Sequence, residues 1–134
     1  MKIYNNMQTF ETTLVVTQND LDELNHVNNI RYVEWVQDIA KAHWLKNASS
    51  KIIKDYHWVM LSHYIEYKSS ALLNDVIKLK TYVINSEGVT TTRIVEIYND
   101  ADKLLAKSET TWCLISSKTK RPSRITPEII NLFS

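Results

Sequence analysis

The chain has 134 residues, 44% hydrophobic and 23% charged, with four tryptophans and seven tyrosines, which suits one folded domain and excludes a disordered chain or two ordinary domains. Sixteen Lys and Arg against fifteen Asp and Glu leave a net charge of +1, so no long-range field draws nucleic acid or an anionic membrane. The lone Cys113 cannot form an intramolecular disulfide, no basic segment followed by an apolar run opens the chain, and no stretch approaches the ~20 apolar residues of a spanning helix, so a cytoplasmic protein is expected.

Residues 7–17 alternate, with Phe10, Thr12, Leu14 and Val16 on one side and Glu11, Thr13, Val15 and Thr17 on the other, which predicts a strand. Residues 28–48 change period. Ile30, Val33, Val36, Ala40 and Trp44 recur every three or four positions, and Arg31, Glu34, Asp38 and Lys41 form a separate polar stripe, so an amphipathic helix is expected.

Four further strands are predicted at 57–68, 75–84, 91–98 and 103–116, each rich in β-branched and aromatic residues. In the first of them Val59, Leu61, His63, Ile65 and Tyr67 are expected to share a face, and in the second Ile77, Leu79, Thr81 and Val83. Residues 85–88 and 99–102 read as hairpin turns. Gly88 is the only glycine, so the other turns must use Asn and Asp to reach positive φ. Thr126-Pro127-Glu128 announces a short terminal helix, with an N-cap, proline at the first helical position and an acid in the first turn. Tight hairpins make the strands antiparallel, and a single striped helix buries its apolar side only against the sheet. The fold class is therefore α+β: one domain over 1–134, a curved antiparallel sheet wrapped around one long central helix.

The stretch DLDELNHVNN, residues 20–29, gathers three carboxylates, a histidine and three asparagines just before the helix. A helix start leaves four N–H groups without internal partners at a partially positive end, and Asp22, Asn28 or Asn29 can serve as caps. Capping accounts for one or two of the seven polar groups. A calcium loop begun at Asp20 would place Leu24, Asn25 and Arg31 at its fifth, sixth and twelfth positions and fails. No His or Cys stands at zinc-ligand spacing from His26, and GxSxG, CxxC and glycine-rich phosphate loops are absent; neither metal nor cofactor is expected. A carboxylate and an imidazole beside free helix-end N–H groups suit acyl transfer to water, in which the amides stabilise the developing oxyanion and the carboxylate attacks or activates water.

DLDELNHVNNIRYVEWVQDIA resembles the signature of hotdog-fold thioesterases, the 4-hydroxybenzoyl-CoA thioesterase-like acyl-CoA hydrolases and the related acyl-acyl carrier protein thioesterases. The likeness is carried by D-x-D, three residues, H-V-N-N, then Tyr32 and Trp35. It implies a hotdog fold, with the long helix held inside the sheet and two subunits paired around the active sites. It also implies that Asp22 is the catalytic carboxylate, that His26 and Asn29 belong to the catalytic set, and that the N–H groups around Asn28 and Asn29 polarise a thioester carbonyl. Asn25 replaces a glycine common in hydroxybenzoyl-type members, which tilts the expectation towards fatty-acyl substrates.

Asn25, Asn28, Tyr32, Trp35, His63 and Arg121 are the expected substrate contacts, the last within a basic cluster of Lys118, Lys120, Arg121 and Arg124 suited to coenzyme A phosphates. Each has a plainer reading: Asp20 as a turn residue, Asn28 and Asn29 as caps, Tyr32, Trp35 and His63 as core, and the basic cluster as a solvated tail. Cys113 is expected to be a buried small hydrophobe. The resulting expectation is hydrolysis of acyl-CoA or acyl carrier protein thioesters by a homodimer or homotetramer. A hotdog hydroxyacyl-thioester dehydratase and a non-catalytic acyl-thioester-binding protein are the alternatives.

Overall fold

Apolar residues spaced two apart in the strands and three or four apart in the helix leave one greasy side on each, and the two sides meet. The computed structural model describes residues 2–4 and 7–134. Its elements are β1 (Lys2–Tyr4), β2 (Phe10–Val15), α1 (Asn29–Asn47), α2 (Ser50–Asp55), β3 (Tyr56–Tyr67), β4 (Val76–Glu87), β5 (Thr90–Tyr98), β6 (Leu104–Ser116) and α3 (Pro127–Asn131). All strand pairs are antiparallel. The sheet order is β1-β4-β5-β6-β3, and β2 lies beside β1 on the outer edge of β4. The far edge of β3 pairs with no strand among the described residues.

Val36 and Ile39 of α1, at 0% and 1% exposure, pack on Ile77, Leu79, Val95, Ile97 and Leu105. Each fully buried aliphatic side chain contributes about 2 kcal/mol. A second cluster at the C-terminal end of α1 joins Trp44 to Ile52, Val83, Leu114, Ile129 and Phe133, so α2 and α3 close that end of the core.

Several expectations are refined. The buried stripe of α1 is Tyr32, Trp35, Val36, Ile39, Ala40, His43 and Trp44, whereas Ile30 is 67% exposed. The first turn of the helix is held instead by Tyr32, whose hydroxyl accepts the Ala71 N–H at 2.9 Å. The predicted common face of β3 is broken. A register shift between Met60 and Ser62 leaves Leu61 as a bulge, so Val59 and Leu61 face solvent while His63 and Ile65 turn inwards; an extra residue in a strand reverses every later side chain. The β4–β5 turn is Gly88-Val89, later than predicted, with Gly88 at φ 62° as a two-residue hairpin requires. Positive φ elsewhere falls on Asn25, Asn74, Asp102 and Lys120, three of them Asn or Asp as expected.

β1 and α2 had no counterpart in the sequence reading: β1 is three residues long, and α2 is a six-residue helix capped by Ser49, whose hydroxyl accepts the Ile52 N–H. The terminal helix begins as predicted, Thr126 accepting from the Ile129 N–H and Pro127 following. Among the described residues no helix is long and apolar enough to cross a membrane.

Candidate active site

The polar stretch before α1 divides into separate tasks. Asp20 is structural: its Oδ2 accepts from the Thr17 N–H at 2.8 Å, its Oδ1 pairs with Arg31 Nε at 2.9 Å, and its carbonyl takes the Asn28 N–H at 2.9 Å. Those contacts draw the loop onto the first turn of the helix. Asn25 stands at φ 62° in the tight turn between Asp22 and His26, a conformation asparagine tolerates better than most residues. Asn28 is the N-cap, its Oδ1 accepting from the Ile30 N–H at 3.0 Å.

Asp22 is half-buried. Its Oδ1 accepts from the backbone N–H groups of Leu24 at 2.9 Å and His26 at 3.1 Å, and its own N–H donates to the His26 carbonyl at 2.8 Å. Among the described residues no hydrogen bond reaches Oδ2, the oxygen left for a ligand. Asn29 is the first helical residue, so its N–H has no carbonyl within the helix to bond, and none outside it accepts among the described residues. The Asn28 N–H, expected to share that task, is already committed to Asp20. Asp22, His26, Asn29 and Tyr32 line one cleft of about 270 Å³ with Val27, Tyr67 and Lys68 to Ser70. Asp22, with one carboxylate oxygen unengaged, and Asn29, with an uncommitted N–H at a positive helix end, therefore line the same cleft.

His26 lines the cleft, its ring makes no hydrogen bond among the described residues, and the histidine orients Asp22 through its backbone. Tyr67, 5.4 Å from the Tyr32 ring centre in an edge-on contact, donates to the Asn29 carbonyl at 3.4 Å. Burial pushes both phenols up, with the Ala71 N–H partly opposing it for Tyr32. Trp35 is buried edge-on against Tyr32 and supports the cleft from behind. His63 bonds Ser108 at 2.9 Å and borders neither this cleft nor the larger cavity near the other end of α1. Arg121 is exposed beyond Ser116, which pairs with the first residue of β3, whereas Tyr67 is its last; eleven residues of strand put the two ends roughly 35 Å apart. Within one chain Arg121 does not reach the cleft.

Tyr67, read from the sequence with His63 as a strand residue facing an acyl pocket, does line the cleft, whereas Lys68, Ser69 and Ser70 were not foreseen. Their loop carries no motif, and only the Val27–Ala71 and Tyr32–Ala71 hydrogen bonds bring it to the helix start. Cys113 is buried, as expected.

With this geometry in view, comparison with known proteins gives the class. The profile of the thioesterase-like superfamily matches residues 16–133, and the chain belongs to that family. Its fold is the hotdog fold, shared with solved structures of low identity. A Staphylococcus aureus protein solved in complex with CoA superposes with a TM-score of 0.83 at 19% identity, covering 94% of this chain and 82% of that one. The 1,4-dihydroxy-2-naphthoyl-CoA thioesterase of Synechocystis gives 0.81 at 14% identity, covering 94% and 96%. YbaW of Escherichia coli, described as a probable thioesterase, gives 0.81 at 22%, covering 91% and 94%. No curated protein matches the sequence.

Proposed function

We propose that this protein hydrolyses acyl thioesters of coenzyme A or acyl carrier protein, with Asp22 as nucleophile or general base and the Asn29 N–H polarising the carbonyl. The observation that carries the reading is that Asp22, which has an oxygen without a partner, and Asn29, whose helix-end N–H has no acceptor among the described residues, line one cleft. A carbonyl held between them meets a hydrogen-bond donor at its oxygen and a base or nucleophile at its carbon. Holding Oδ1 with two backbone N–H groups fixes the carboxylate's orientation without consuming Oδ2. The His26 ring is free to contact the thioester or the attacking water. Family membership and the CoA bound to one structural neighbour support coenzyme A as the thiol carrier.

The working unit in this reading is a homodimer formed along the unpaired edge of β3. An open edge of twelve residues presents unmatched N–H and C=O groups, and Val59, Leu61 and Tyr64 on this strand are exposed. Antiparallel pairing of two copies reverses one β3 against the other, which carries the basic segment 118–124 of one copy towards the Asp22 cleft of its partner. That is the route by which Arg121 could meet a substrate phosphate.

The test is a panel of acyl-CoAs and acyl carrier proteins of varied chain length, with released thiol measured continuously. Saturable thiol release is expected for at least one acyl class. A dehydratase or a simple binding protein releases none.

A further inference from the structure

A second cavity among the described residues is larger than the Asp22 cleft. It measures about 530 Å³ and lies along residues 37–45 of α1, between the helix and the first residues of β3, within the range of small-molecule sites. Asn29 and Lys41 are twelve residues apart, or about 18 Å along the helix axis. The walls are aromatic: Trp44, Tyr56, Trp58, Trp112 and Phe133. Gln37, Asp38, Lys41 and Leu45 are exposed at its helix side.

Arg93 lines this cavity with 5% exposure. One of its terminal nitrogens, Nη1, donates to His43 Nδ1 at 3.0 Å and to Thr81 Oγ1 at 3.0 Å, and the guanidinium carbon sits 5.2 Å from the Phe133 ring centre. Both hydrogen-bond partners are uncharged. His43 is held neutral because its Nδ1 accepts from Arg93 while Nε2 faces Gln8 Oε1 at 3.0 Å, the tautomer with the proton on Nε2. Among the described residues no carboxylate pairs with Arg93, and its Nη2 and Nε have no acceptor. Burial lowers its pKa, to about 10. The cation still forms at neutral pH. A buried guanidinium with three idle N–H donors is an expensive arrangement unless something fills it.

We infer that this cavity is a binding site for an organic carboxylate, whose apolar or aromatic body lies among the tryptophans and whose carboxylate takes the idle N–H groups of Arg93. A carboxylate matches the guanidinium fork in shape and charge, and the flat ring faces suit an unsaturated or alkyl body. The site is built from one chain and does not depend on thioester hydrolysis.

Three of the four tryptophans line the cavity, so intrinsic fluorescence reads occupancy directly. The experiment titrates the wild-type protein with sodium benzoate, 3-phenylpropionate and octanoate, and with the neutral amide of each. At least one carboxylate is expected to quench saturably and to bind about 10- to 100-fold tighter than its amide, the range for charge-assisted hydrogen bonds. Arg93→Met should erase that preference and Arg93→Lys retain part of it, each variant being checked for the wild-type circular dichroism spectrum. Equal affinity for acid and amide in the wild type, or no saturable binding of any probe, overturns the assignment, as does a preference that survives in folded R93M. If R93M does not fold, the wild-type comparison of acids with amides decides alone.

Discussion

Asp22→Asn is expected to leave a folded protein whose thioester cleavage is at least about 100-fold slower than wild type, the contribution typical of a lost general base. The substitution isolates charge from shape. Oδ1 is the atom that accepts from the Leu24 and His26 N–H groups, and an asparagine carbonyl oxygen can accept both. The amide nitrogen then falls where Oδ2 has no partner, so the turn and the Asn29 N–H keep their places. Stability should change by less than about 1 kcal/mol, because no buried group loses a partner. Thermal melts and initial rates of thiol release measure the two halves. A folded D22N protein with near-wild-type turnover removes Asp22 from the chemistry.

The second large effect is acid sensitivity centred on His43. Burial first, then the charges of Arg93 and Lys46, hold its pKa near 4 against an ordinary 6.5. It is fully buried, packed in parallel on Phe10 and edge-on to Phe133. The folded state therefore resists protonation, while the unfolded chain takes up a proton below pH 6.5. The stability this neutral histidine contributes is present above pH 6.5 and is lost as the pH falls from there towards 4, a span worth about 3 kcal/mol. His43→Gln keeps an acceptor for Arg93 and removes the titration. Denaturant unfolding at pH 7 and pH 4 should show the wild type losing about 3 kcal/mol more than H43Q. Equal losses would mean that His43 does not control the acid response.

Periodicity made the long helix and five of the six strands readable, because each has one face committed to the core, and the Thr126-Pro127-Glu128 cap made the terminal helix readable. What it missed were features set by single residues or by distant contacts. The Leu61 bulge inverts the later half of β3 without altering the apolar alternation around it. Ile30 looks like part of the helical stripe, but Tyr32 has the partner, the Ala71 N–H, that fixes which side of the first turn faces inwards. Within residues 20–29 the density of polar groups was visible and Asn28 was among the expected caps, but the pairing of Asp20 with Arg31 and the positive φ of Asn25 are matters of geometry. Arg93 did leave a trace. In Thr91, Arg93, Val95 and Ile97 a charge occupies a position whose neighbours two residues away are all buried, and such a charge needs either a partner or a ligand.

The most direct measurement is a crystal structure of the wild-type protein with a ketone analogue of acyl-CoA, in which a methylene group replaces the thioester sulfur. The account predicts the ketone oxygen about 3 Å from the Asn29 nitrogen and the Asp22 carboxylate facing the carbonyl carbon. A ketone lodged away from the start of α1, with Asp22 touching neither it nor a water beside it, would contradict the account.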